Sequence, residues 1–93
     1  MTVINGKIIS SDLGLFSKRE IVYGYIGIEL PDKSHIKIKI DSYTWYETLS
    51  IGEDVVVEIE KLSNTEILVA RTVRLKSSVE MESSDKTPVE TIV

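Results

Sequence analysis

The chain of 93 residues has no cysteine, no glutamine, a single histidine and two prolines. Without cysteine, disulfides, thiolate nucleophiles and Cys-ligated zinc are excluded. No apolar run approaches the roughly 18–20 residues that span a bilayer. Met1-Thr2-Val3-Ile4-Asn5-Gly6 lacks the charged-then-apolar layout of a secretory leader. The expectation is a cytoplasmic protein that makes no use of a membrane. Side-chain amides are confined to Asn5 and Asn64, a bias shared by thermophilic proteins. A strong excess of one charge is also missing, with 11 basic against 15 acidic side chains and a net of −4. Residues 1–76 hold 10 of the basic and 11 of the acidic groups, a net of −1. Residues 77–93 hold Lys86 against Glu80, Glu82, Asp85 and Glu90, a net of −3. A nearly neutral domain lacks the global field of a typical duplex-DNA binder.

What is present is apolar patterning. At 42% hydrophobic and 28% charged residues, the composition suits one globular domain. Regular patterning runs from Val3 to Leu75 and stops. The following Ser- and acid-rich stretch, Ser77 to Pro88, cannot bury enough apolar surface to offset its ordering entropy. The expected organisation is therefore a domain over residues 1–76 and a disordered acidic tail over 77–93. Within the domain the hydrophobic period is two, which is the period of strands. His35-Ile36-Lys37-Ile38-Lys39-Ile40 alternates throughout, and Ile21 to Leu30 carries its more apolar set on the even positions. Val55 to Glu60 and Thr65 to Leu75 are β-rich, the latter with a phase change near Arg71 that suits a bulge. Val3 to Ser10 forms the first of five strands, with Gly6 permitting a bend or close backbone approach.

The connections narrow the architecture. Pro31-Asp32-Lys33-Ser34 and Leu62-Ser63-Asn64-Thr65 read as tight turns, each closing a hairpin. A longer loop, Ser11 to Glu20, joins the first two strands. Ser42 to Ser50 has the only helical spacing, with Ser42 as cap and Trp45 and Leu49 on one side. Leu49-Ser50-Ile51-Gly52-Glu53-Asp54-Val55-Val56-Val57 and then Ala70-Arg71-Thr72-Val73 resemble the closing half of OB-type domains. TRAM, TOBE and SH3-like domains use similar phrases. The resemblance spans residues 3–75 and implies an all-β, five-stranded OB-like barrel. One short helix between strands 3 and 4 and the disordered C-terminal tail complete the expected fold. An SH3-like barrel is the structural alternative.

Chemistry-bearing motifs are few. His35 near Asp32 and Asp41 matches no metal-ligand spacing. No Gly-x-Ser-x-Gly elbow occurs, and Gly24-x-x-Gly27 lies inside a strand rather than in a phosphate-binding loop. A small barrel fills its interior with its own side chains. The expectation is a non-enzymatic binding module with no catalytic residue, metal or cofactor.

The binding signal lies on strands two and three. If Val22, Ile26, Ile28, Ile36, Ile38 and Ile40 point inward, Tyr23, Tyr25, His35, Lys37 and Lys39 point outward. Aromatic rings that stack on unpaired bases, with cations along the phosphates, are what single-strand binding uses. The resemblance to OB-type domains implies the same face. Phe16, Lys18 and Arg19 on the first loop would extend it, making single-stranded nucleic acid, DNA or RNA, the expected partner. Two other accounts fit the same residues. Tyr and alternating Lys are ordinary on a half-exposed strand. A protein-interaction or assembly subunit would use this face or an exposed strand edge. Tyr43, Trp45 and Tyr46 form a second aromatic cluster, in which Trp45 is expected to plug the barrel's end and Tyr46, if exposed, would serve as a contact. The acidic tail is solvated by default, though it has the sign to lie over a basic patch, and Glu90-Thr91-Ile92-Val93 resembles a PDZ ligand.

Overall fold

The period-two stretches become strands in the computed structural model, which describes residues 2–16 and 21–81. Six strands lie among the described residues: β1 (Thr2–Phe16), β2 (Ile21–Glu29), β3 (His35–Ile40), β4 (Trp45–Tyr46), β5 (Asp54–Lys61) and β6 (Leu68–Leu75). One helical segment, α1, covers residues 76–81. Neighbouring strands follow the order β3-β2-β1-β5-β6-β4, and β3 also pairs with β6. That extra pairing is parallel, Ile38 with Leu68 and Lys39 with Val69. It closes β1, β2, β3, β6 and β5 into a five-stranded barrel, compatible with an OB-like one. β4 lies outside the ring, parallel to β6.

The core is Ile8, Ile26, Ile28, Ile38, Ile40, Val55, Val57, Ile59, Ala70 and Val73. Apart from Ala70 every member is β-branched. Such side chains have few rotamers to lose and pack well on a pleated surface. Burying each fully contributes about 1.5–3 kcal/mol. Along β5 the buried positions are Val55, Val57 and Ile59, every second residue.

β1 belongs to both halves of the barrel. Its first residues pair with β5, from Thr2 with Ile59 to Lys7 with Asp54. From Lys7 onward it pairs with β2, ending with Phe16 against Ile21. At the crossover the strands approach so closely that a Cβ on Gly6 would collide with the Ile28 side chain and the Glu29 carbonyl. A bulge between Ile8 and Ser10 then resets the register.

The two predicted hairpin turns are present. Lys33 donates its N–H to the Leu30 carbonyl at 2.9 Å, and Thr65 to the Leu62 carbonyl at 3.0 Å. Lys33 and Asn64 take the positive φ that these tight turns require, 73° and 57°. The predicted bulge also falls at Arg71, since Glu58 pairs with Thr72 while Ile59 pairs with Ala70.

Three expectations are corrected. The loop from Ser11 is strand as far as Phe16, because Leu13 and Leu15 alternate with Asp12 and Gly14 and β2 supplies a partner for each. The helix expected at Ser42–Ser50 is absent. Asp41 accepts the Tyr43 N–H at 2.9 Å in an Asx-turn, and the chain leaves it as β4. Helix appears instead at residues 76–81, where disorder was expected from Ser77. Glu47 organises that start by accepting the Leu75 N–H at 3.2 Å and the Ser78 hydroxyl at 2.8 Å. The rest of the expected tail, residues 82–93, lies outside the described residues.

Candidate nucleic-acid interface

The β2–β3 hairpin determines the face. Ile26 pairs with Ile38 and Ile28 with Ile36 on the inner side, while Tyr25 pairs with Lys39, Gly27 with Lys37 and Glu29 with His35 on the outer. Because Ile26, Ile28, Ile38 and Ile40 are buried, pleating turns the second set outward. Tyr23 follows two residues from Tyr25 on that same side and is 47% exposed. Five predicted site residues, Tyr23, Tyr25, His35, Lys37 and Lys39, therefore share one surface. Phe16 is placed by its backbone at the end of β1, opposite Ile21. Lys18 and Arg19 lie outside the described residues.

The strand that the loop expectation hid adds a third row. Ser10, Asp12 and Gly14 on β1 pair with Gly27, Tyr25 and Tyr23. The Tyr23 ring lies against bare backbone, since a Cβ on Gly14 would stand 3.2–3.4 Å from its phenol atoms. Nothing on Gly27 fills the space between Tyr25 and Glu29, and a Cβ there would meet the Ser10 hydroxyl. The result is a groove of about 370 Å³, lined mainly by Ile9, Ser10, Asp12, Tyr25, Ile36 and Lys37. Leu13 and Leu15, alternating with Asp12 and Gly14, were the available sequence signal for this row.

Charge on the face is mixed. The Lys37 ammonium sits 4.8 Å from the Tyr25 ring centroid, a cation–π contact worth about 0.5–1 kcal/mol at an exposed site. Lys37 and Lys39 make no ion pair among the described residues. Glu29 is occupied by the His35 imidazole at 3.3 Å and the Lys33 ammonium at 3.9 Å.

A second aromatic surface departs from expectation. Tyr43 is 81%, Trp45 54% and Tyr46 40% exposed, so Trp45 does not plug the barrel. The buried residue of this segment is Thr44, whose hydroxyl donates to the Ala70 carbonyl at 2.7 Å. With Thr44 inward, pleating sends Tyr43 and Trp45 out. The cations beside them are already engaged. Arg71 donates to Glu60 at 2.7 Å and lies 3.8 Å from Asp41. The hydrogen bond to Glu60 is the main cause that holds its guanidinium above its ordinary value. Arg74 lies 3.6 Å from Glu47.

Among the described residues, no three His, Cys, Asp or Glu side chains converge to hold a metal ion. No helix there is long and apolar enough to cross a membrane. Comparison with family models, curated proteins and solved structures finds no match for the chain.

Proposed function

We propose that the chain is a non-enzymatic binding module of OB type that contacts single-stranded nucleic acid through the outer face of β1, β2 and β3. The OB assignment, in preference to an SH3-like barrel, is supported by the strand order. Two hairpins are joined so that β3 and β6 meet in parallel and close the ring. The observation that carries the ligand class is the coincidence of two outward tyrosines with two lysines that make no ion pair among the described residues. Stacking needs rings with accessible faces, and phosphate contact needs cations that break no ion pair to make it.

Anisotropy titration of labelled oligo-dT or oligo-U tests this. With two phosphate contacts the salt slope on a single strand is about −1.4, so affinity falls roughly sevenfold between 50 and 200 mM salt. Saturable binding with that shallow slope supports the proposal. No binding at low salt refutes it.

The protein-interaction reading is favoured by a different observation. Tyr43 and Trp45 project beside the short β4, where the neighbouring cations are held in ion pairs. Such a surface presents aromatic area without free positive charge, which suits a protein partner better than a phosphate backbone.

A further inference from the structure

We infer that the groove over Gly27 is a base-reading site selective for guanine. The inference rests on the single-strand reading above and names what that face would recognise. Four features of the groove lead to it. Its volume, about 370 Å³, lies at the small end of ligand pockets, fitting one nucleotide unit rather than a helix or a peptide strand. Its apolar lining comes from Ile9 and Tyr25, with polar groups at the margins. Its position is continuous with the two tyrosines and with Lys37 and Lys39, which make no ion pair among the described residues, so a strand tracking that row passes over it.

The fourth feature is the identity of the polar groups. Asp12 lines the groove directly opposite Tyr25, and its carboxylate has no hydrogen bond or ion pair among the described residues. On a surface that served only to follow phosphates, a free carboxylate would oppose binding. Beside a base, the same group is a reader. An ionised carboxylate only accepts, through two oxygens side by side. It therefore matches a base edge carrying two adjacent donors. Guanine offers that edge through N1–H and the N2 amino group. Adenine and cytosine each set one amino donor beside a ring-nitrogen acceptor, and thymine or uracil flanks one imino donor with two carbonyls. Each of these places an acceptor against a carboxylate oxygen. The Ser10 hydroxyl, over Gly27, supplies a donor and acceptor on the same margin, and Lys37 supplies a cation for the attached phosphate.

A bidentate pair of this kind discriminates by roughly 5- to 150-fold. The experiment uses the full chain and labelled oligo-dT carrying one central G, A, C or T. Guanine is expected to tighten binding at least about fivefold over the other three. Asp12→Asn should abolish the preference, read as the ratio of affinities for the G-containing oligonucleotide and oligo-dT measured on the same variant. Gly27→Val combined with Ser10→Ala, which removes the hydroxyl that a Cβ would strike, should fill the groove with the same loss of preference. In competition, GMP should displace the G-containing oligonucleotide at concentrations where AMP does not. Equal affinity for all four bases, with oligo-dT still bound, overturns the guanine site and leaves the single-strand reading standing. Persistence of the preference in Asp12→Asn also overturns it. Failure to bind any oligonucleotide at low salt overturns both.

Discussion

Replacing Thr44 by Val tests how the segment between β3 and β5 is held. The Thr44 hydroxyl donates to the Ala70 carbonyl at 2.7 Å and accepts the Asp41 N–H at 3.1 Å. Val keeps the β-branch and the volume but can do neither. The lost hydrogen bond is worth about 0.5–1.5 kcal/mol, and a carbonyl left unsatisfied in the core costs about 1–3 kcal/mol. Ala70 is fully buried, so the larger contribution applies and the expected loss is about 2–3 kcal/mol. A chain of this size has roughly 5–14 kcal/mol of total stability. Its Tm should therefore fall by about 8–24 °C. Urea unfolding followed by far-UV circular dichroism and by the single Trp45 would measure the loss. Thr44→Ser is the control, since it keeps the hydroxyl and loses one methyl group, worth about 0.8 kcal/mol. The stability order should be wild type, then Ser, then Val. In a helix with Thr44 turned to solvent, Val would equal or exceed Ser, and that outcome would falsify the placement of β4.

Three further expectations concern the surfaces. Tyr23→Ala and Tyr25→Ala should each weaken oligo-dT binding by about 1–3 kcal/mol with circular dichroism unchanged; unfolding without an affinity change in the folded fraction would show that the rings are structural. Native Trp45, 54% exposed, should emit at long wavelength and be quenched by acrylamide, whereas blue, protected emission would return it to the core. Asp32 should make the hairpin acid-sensitive. Its carboxyl is held below the ordinary 3.8, first by the Ser34 hydroxyl and then by the Ser34 N–H. A folded-state value below the unfolded one means that this contribution is complete above about pH 4 and is lost as the pH falls through the folded value. Asp32→Asn should flatten the decline in Tm below pH 4, and an unchanged acid limb would count against the Ser34 bonds.

The barrel was legible where one residue decided each inward position. Ile26, Ile28, Ile38 and Ile40 were readable because the alternation of β2 and β3 has no competing phase, and the outward set followed from it. The bulge at Arg71 was readable for the same reason, as a break in phase. The arm of β1 was not, because Ser10, Ser11, Asp12 and Gly14 have the composition of a loop and only the pairing with β2 makes them strand. Propensity yields there to tertiary pairing. The error at β4 had a different source. Tyr43, Thr44, Trp45 and Tyr46 are all good strand formers, yet Ser42 looks like a helix cap. The cap-like role belongs to Asp41, whose carboxylate turns the chain two residues ahead. The missed alternation of Tyr43, Thr44 and Trp45 was enough to place the aromatic rings outside.

Both aromatic surfaces follow from one property of the core. A five-stranded barrel has a narrow interior, and here Ile and Val fill it, with Ala70 where less room remains. None of Tyr23, Tyr25, Tyr43, Trp45 and Tyr46 belongs to the buried set. Aromatic side chains are the largest source of hydrophobic stabilisation available to a small domain, so leaving all five outside forgoes stability and points to work at the surface. The neighbouring charges then separate the two faces. Arg71 and Arg74 would have to leave Glu60 and Glu47 before meeting a phosphate. Among the described residues, Lys37 has only the Tyr25 ring to leave and Lys39 has no partner. On the proposed reading, a phosphate chain would meet the lower cost on β2 and β3, and a neutral or zwitterionic protein surface would meet it at Tyr43 and Trp45. The proposed assignment of ligand to face rests on this difference in the state of the cations, since both faces have the aromatic area.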